Sequence, residues 1–127
     1  NVKENNSSVK PVMADALEIC ETFADGELDL IVSNPPYIKS ADIETLQKEV
    51  RLEPRLALDG GEDGYDFYRE IVSRWSRKLK KGGALAFELG ENQADAVKAL
   101  MTDKGFSDFK ISLDFGGVQR AIIGTLL

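Results

Sequence analysis

The amino-acid sequence predicts an α/β fold with a mostly parallel sheet. Apolar segments of strand length alternate along the chain with segments in which apolar residues recur every three or four positions, as in amphipathic helices. Strands that alternate with helices form a parallel sheet with helices on both faces. The last two predicted strands are too close together for a helical crossover, so one edge of the sheet is expected to be antiparallel.

The predicted elements follow in chain order. Strands are expected at residues 9–13, 28–32, 84–89, 109–113 and 121–127. Helices are expected at residues 16–23, 41–50, 66–79 and 92–103. Ser40 is the expected N-cap of the second helix, and Gly82 and Gly83 are expected to end the third. Gly116 and Gly117 favour a hairpin-like connection between the last two strands.

Length and composition limit the classes of protein that this sequence fits. The 127 residues suffice for one domain and not for two. With no histidine and one cysteine, Cys20, the chain cannot form a serine–histidine triad, an internal disulfide or a histidine or thiolate zinc site. A net charge of −6 argues against a nucleic-acid substrate. Without an apolar segment of membrane-spanning or signal length, a cytoplasmic location is expected, with no membrane partner and no metal.

The segment that carries chemistry follows the predicted strand at residues 28–32 and reads Asn34-Pro35-Pro36-Tyr37. In open parallel sheets, ligands bind beyond the carboxyl ends of the strands, where this segment falls. The Asn34 side-chain carbonyl can accept one hydrogen of a planar NH2 group, and the Pro35 carbonyl can accept the other. Pro36 stiffens the loop, and the Tyr37 ring offers a face for stacking. The same tetrapeptide also fits an ordinary turn, and its residues alone leave both interpretations open.

Two motifs carry a resemblance to a known family. The tetrapeptide, preceded by a buried strand that contains Asp29, resembles the signature of amino-group methyltransferases. Residues 53–69 closely resemble the HemK/PrmC protein-(glutamine-N5) methyltransferases, with Tyr65 where the family usually has leucine. The resemblance continues through residues 79–83, 88–90 and 114–124 and covers nearly the whole chain.

This resemblance implies a class I S-adenosylmethionine-dependent methyltransferase fold, which is Rossmann-like. It implies S-adenosyl-L-methionine as cofactor, and methylation of the glutamine side-chain amide in the Gly-Gly-Gln motif of peptide chain release factors. Asn34, Pro35 and Tyr37 are then the expected catalytic residues, and Pro36 joins them in binding the substrate. Asn34 is also expected to contact the cofactor, together with Asp15 and Ala16. An alternative reading makes Asp15 the N-cap of the helix that begins at Ala16.

The family's glycine-rich cofactor loop has no counterpart before Asp15. The chain is therefore expected to be the C-terminal portion of a truncated methyltransferase domain that lacks the first two strands. Residues 9–13 would then stay detached, pair directly with the strand at residues 28–32, or pair with another copy in a homodimer through an exposed sheet edge. Two rival functions remain open, which are a DNA amino-methyltransferase and a non-catalytic binding or dimerising module.

Overall fold

The computed structural model describes residues 1–127 as one sheet with helices packed against it. The strands are β1 (Leu28–Ser33), β2 (Leu79–Glu88), β3 (Phe106–Leu113) and β4 (Gln119–Leu126). The α-helices are α1 (Ala16–Ile19), α2 (Lys48–Arg51), α3 (Asp66–Trp75) and α4 (Ala94–Asp103). Short 3₁₀ turns occupy Cys20–Thr22, Ser40–Thr45, Arg55–Ala57 and Ser76–Lys78. None of the helices is long and apolar enough to cross a membrane.

The sheet confirms the predicted mixture of strand directions. Its spatial order is β1-β2-β4-β3, with β1 parallel to β2 and β4 antiparallel to both of its neighbours. Three strands thus run one way and β4 runs the other. The predicted hairpin joins β3 to β4, and Asp114 organises its turn by accepting hydrogen bonds from the backbone N–H groups of Gly116 and Val118.

The core lies between the sheet and helices α3 and α4. The apolar stripe predicted for α3 is buried at Tyr68, Ile71 and Val72. The ring of Tyr68 meets that of Phe87 edge-on at a centroid distance of 5.2 Å. Tyr68 also donates a hydrogen bond to the Glu88 carbonyl at 2.8 Å, so α3 is tied to the end of β2 where the candidate site begins.

The strand predicted at residues 9–13 is wrong. This segment is irregular and pairs with no strand, and its apolar side chains are exposed, with Val9 at 63%, Val12 at 68% and Met13 at 103%. Pro11 lacks the N–H that a ladder needs, and no neighbouring element covers the segment. Within the chain, the segment is detached and does not pair with β1. The expectation of helices on both faces is also wrong at β1, where Leu30 and Val32 are 54% and 70% exposed.

Two helix predictions need correction. Residues 41–50 form a 3₁₀ turn and the short α2 instead of one helix. Ile43 is the one buried side chain in these two elements, and a single buried side chain is not enough to hold a regular helix against the core. Ser40 does not cap a helix, since its hydroxyl donates to Asp59 at 2.5 Å. The third helix ends before Leu79, which is buried as the first residue of β2. Gly82 and Gly83 lie within β2. Leu28 of β1 pairs with Leu79 and Leu30 pairs with Ala84, so β2 bulges between these two pairs.

Candidate active site

A cavity of about 370 Å³ lies at the carboxyl end of β1. Asn34, Pro35, Pro36 and Tyr37 all line it, so the structure brings the predicted acceptor residues together. The two prolines cannot extend the ladder, so β1 stops at Ser33 and the chain turns across the sheet edge. The remaining walls come from the end of β2 and from residues 50–58.

Tyr37 is held at both ends. Its hydroxyl donates to a Glu88 carboxylate oxygen at 3.2 Å, and its backbone carbonyl accepts from Gln93 Nε2 at 3.1 Å. Burial, and then the Glu88 charge and hydrogen bond, raise the pKa of the Tyr37 hydroxyl above its usual value. The hydroxyl therefore stays protonated as a donor at neutral pH, and the ring keeps a defined orientation at the cavity wall.

Glu88 and Gln93 are site residues that the sequence analysis did not identify. The parallel pairing of Ser33 with Phe87 brings the residues that follow them, Asn34 and Glu88, to the same edge of the sheet. Strand pairing could thus have pointed to Glu88. Gln93 is 7% exposed and lies 56 positions from Tyr37 in the chain, and no local pattern marks it.

The cavity is acidic. Glu53 and Glu88 line it, and no lysine or arginine does. The nearby guanidinium groups are engaged elsewhere, because Arg55 pairs with Asp59 at 3.2 Å and Arg120 pairs with Asp114 at 2.9 Å. The electrostatic environment therefore favours positive charge inside the cavity and disfavours anions.

A second cavity, of about 530 Å³, borders the first. Asn34 and Glu88 line both cavities, and Val32 and Arg120 contribute to the second. The exposed amide of Asn34 thus lies between two adjoining cavities, and its contacts with substrate and cofactor stay a prediction.

Comparison with known proteins identifies the family, although no family model matches the chain. The release factor glutamine methyltransferase of Geobacter sulfurreducens is 50% identical over 107 residues, which cover 84% of this chain and 38% of that protein. The chain belongs to the release factor glutamine methyltransferase family. It spans little more than a third of the length of this curated relative.

Solved structures agree with this family assignment. The release factor-specific protein-(glutamine-N5) methyltransferase of Alicyclobacillus acidocaldarius is 28% identical, with a TM-score of 0.52 over 87% of this chain and 54% of that one. A methyltransferase from Pyrococcus furiosus has a TM-score of 0.61 over 98% of this chain and 53% of that one. Its 20% identity shows the fold alone. The expected class I methyltransferase fold, in truncated form, is confirmed.

Within this release factor glutamine methyltransferase fold, Asp15 and Ala16 lie apart from the acceptor cavity and line neither of the two cavities. Asp15 caps α1, because its carboxylate accepts from the Leu17 N–H at 2.7 Å. The Ala16 carbonyl accepts from the Trp75 indole at 2.9 Å, which fixes α1 against α3. The N-cap interpretation of Asp15 is therefore confirmed, and its contact with the cofactor stays a prediction.

Proposed function

We propose that this chain is the C-terminal portion of an enzyme that methylates the glutamine side-chain amide of the Gly-Gly-Gln motif in peptide chain release factors. The observation that carries the proposal is the shared cavity of Asn34, Pro35, Pro36 and Tyr37 at the carboxyl end of β1. The relatives supply the substrate class, since the curated proteins are named for it. The chain contributes the residues that would hold the amide.

The four residues offer partners for both N–H hydrogens and for one face of a primary amide. Asn34 Oδ1 accepts one N–H and the Pro35 carbonyl accepts the other, while the Tyr37 ring stacks on the amide plane. Pro36 restricts the loop, so these groups need little reorganisation. Amides are poor nucleophiles, and alignment of this kind can lower the barrier by several kcal/mol. Acceptors that face the nitrogen also stabilise the positive charge that grows there.

S-adenosyl-L-methionine, when bound, supplies an electrophilic methyl group on a sulfonium. The residues present fit one end of such a group, because the second cavity adjoins Asn34 and carries the Glu88 carboxylate, which favours a cation. The Arg120 guanidinium that also lines this cavity is paired with Asp114 at 2.9 Å. Asn34 is the residue proposed to contact both cofactor and substrate, with Asp15 and Ala16 on the cofactor side. We assign no general base, because the amide proton becomes acidic only after transfer and can leave to water.

The acidic cavity speaks against the DNA amino-methyltransferase alternative. Nucleic-acid phosphates would meet Glu53 and Glu88 at the mouth of the site, and no lysine or arginine lines it. A flipped base requires cationic contacts along its backbone. A protein substrate, no direct DNA binding and no membrane partner are therefore proposed, with the enzyme acting in the cytoplasm, where release factors work.

Methyl transfer from radiolabelled S-adenosylmethionine tests this function in a complete enzyme that carries these residues. We expect label to enter a release factor that contains Gly-Gly-Gln, and none to enter the Gly-Gly-Ala variant of the same factor. Duplex DNA assayed in parallel should stay unlabelled. Label in DNA would favour the DNA amino-methyltransferase, and no label in any acceptor would favour the non-catalytic binding module.

A further inference from the structure

Three glycines crowd around Tyr37. A Cβ atom on Gly60 would lie 2.8 Å from the Tyr37 Cα, and one on Gly64 would lie 2.7 Å from the Tyr37 carbonyl oxygen. A Cβ atom on Gly90 would lie 2.8 Å from Cδ2 of the Tyr37 ring. These separations are shorter than carbon contacts tolerate, so each of the three positions needs glycine to let its backbone approach the tyrosine.

The Gln93 side chain makes hydrogen bonds to Tyr37 and to two of these glycines. Its Nε2 donates to the carbonyls of Tyr37 at 3.1 Å and Gly64 at 3.4 Å. Its Oε1 accepts from the Gly90 N–H at 2.9 Å and lies 3.1 Å from the Tyr68 hydroxyl, whose hydrogen is donated to the Glu88 carbonyl. One buried amide therefore joins the loop after β1, the loop at residues 59–64 and the start of α4 through three hydrogen bonds.

Backbone hydrogen bonds reinforce this connection next to Tyr37. The Ile38 N–H donates to the Leu58 carbonyl at 3.0 Å, and the Gly60 N–H donates back to the Ile38 carbonyl at 2.8 Å. The two segments pair as a short parallel bridge between Ile38 and Asp59. The start of the loop at residues 59–64 is thus fixed to the chain segment directly after Tyr37.

We infer that the loop at residues 59–64, Gly90 and Gln93 form a brace that positions Tyr37 for the reaction. The inference rests on the proposed function, because it assigns to Tyr37 the placement of the acceptor amide. Gly60, Gly64, Gly90 and Gln93 contact the tyrosine and line neither cavity, so they act through it and not on the substrate. They are positioning residues. Their role explains why the loop at residues 59–64 packs against residues 34–37 in the folded chain.

A pair of glycines with matched backbone strain tests the brace in the complete enzyme. Gly64 and Gly82 have φ values of +83° and +78°, but a Cβ atom on Gly82 meets nothing within 4 Å. Gly64→Ala and Gly82→Ala should therefore lower the melting temperature through the same strain. We expect Gly64→Ala to lower kcat for release factor methylation by at least about tenfold, and Gly82→Ala to keep kcat within about twofold. An equal loss of kcat in both variants would overturn the inference.

Gln93→Glu provides a second variant if Gly64→Ala does not fold. It keeps the side-chain shape but replaces the Nε2 donor by an oxygen that faces the Tyr37 and Gly64 carbonyls. We expect kcat to fall by about tenfold or more, with the dissociation constant of the cofactor changed by less than about threefold. A variant with unchanged kcat would contradict the brace.

A readout that does not depend on methylation separates this inference from the proposed function. With ¹³Cζ-labelled tyrosine, the NMR signal of Tyr37 can be assigned by its loss in Tyr37→Phe, and its hydroxyl can be titrated. Gly64→Ala should lower the pKa of this hydroxyl by moving the ring from its buried place beside Glu88, while Gly82→Ala should not. If the titration shifts as expected but no form of the enzyme methylates a release factor, the brace stands and the proposed function fails. An unshifted titration in Gly64→Ala refutes the brace.

Discussion

The Tyr37 hydroxyl donates to the Glu88 carboxylate at 3.2 Å, which joins the loop after β1 to the end of the adjacent strand. This contact spans 51 positions of sequence and forms one wall of the acceptor cavity. Because burial and Glu88 both raise the pKa of Tyr37, the two causes can be separated by changing Glu88 alone.

Glu88→Gln should lower the pKa of the Tyr37 hydroxyl toward its ordinary value. The change removes a negative charge that opposes ionisation of the phenol, and burial, with a smaller effect of Glu53, remains to raise the pKa. Titration of ¹³Cζ-labelled Tyr37 measures the effect, with Glu62→Gln in the exposed loop as control. The pKa of Tyr37 is higher in the folded protein than in the unfolded chain, where it is about 10, and this difference stabilises the fold below about pH 10. The contribution is lost as pH rises through the pKa of Tyr37 in the folded protein. Alkaline unfolding of Glu88→Gln should therefore depend less steeply on pH, and an unchanged Tyr37 titration would contradict the coupling.

Asn34→Ala should lower kcat in the complete enzyme by about 10²–10³-fold, as loss of one transition-state hydrogen bond does elsewhere. Cofactor affinity, measured by calorimetric titration, should change far less, because the acceptor matters most as charge develops on nitrogen. Asn34→Asp keeps an acceptor oxygen and should retain more activity than Asn34→Ala. Tyr37→Ala should mainly disturb placement of the amide. Equal losses of kcat and cofactor affinity in Asn34→Ala would refute the assigned role.

Lys78→Met should destabilise the fold by about 1–3 kcal/mol, because it removes a buried ammonium group and leaves the acceptors of its hydrogen bonds without that donor. Lys78 is 3% exposed, and its Nζ donates to the Phe23 carbonyl and to Asp25, each at 2.8 Å. Lys80→Met is the control, since Lys80 makes an exposed pair with Asp29, and exposed pairs contribute less than about 1 kcal/mol. Urea unfolding compares the two variants, and equal effects would show that the Lys78 contacts add nothing.

The 127-residue chain by itself should associate through β1, an edge strand whose Leu30 and Val32 are exposed. Unpaired strand edges with apolar side chains favour pairing between copies. Val32→Lys should convert the dimer to a monomer in sedimentation velocity. Leu113→Lys, an exposed apolar position on the edge strand β3, is the matched control and should leave the dimer intact. A wild-type chain that sediments as a monomer at high concentration would exclude this homodimer.

The chain alone should bind S-adenosylmethionine weakly or not at all. It carries the acceptor-side residue Asn34 but no glycine-rich loop before Asp15. Loss of several hydrogen bonds at about 1 kcal/mol each turns a micromolar affinity into a millimolar one. Calorimetric titration measures this directly. A one-to-one isotherm with micromolar affinity would show that these residues complete the cofactor site.

Local pattern alone predicted much of the fold. The apolar run at residues 28–32 gave β1, and the three- and four-residue spacing of Tyr68, Ile71 and Val72 gave α3. These elements follow from side-chain periodicity, which depends on neighbours a few positions away. The acceptor tetrapeptide was found for a similar reason, since its hydrogen-bonding groups are consecutive in the chain.

Residues 9–13 show where local pattern was insufficient. Their apolar composition resembles a buried strand, yet a strand needs a partner, and no other strand of the chain pairs with them. In the same way, Gly82 and Gly83 resembled a helix end, but pairing of β2 with β1 placed them at a bulge. In each case the outcome depended on which surfaces meet, which side-chain spacing does not encode.

The sequence by itself determined which groups could hold a planar amide, because Asn34, Pro35 and Tyr37 carry that chemistry wherever the chain places them. Only the tertiary structure decided how Tyr37 is held. Glu88 approaches it from the neighbouring strand, and Gln93 reaches it from the start of α4, 56 positions away. Gly60 and Gly64 approach it from the loop at residues 59–64. Such contacts arise when packing of α3 and α4 on the sheet brings distant backbone segments within hydrogen-bond distance, and that depends on the whole fold.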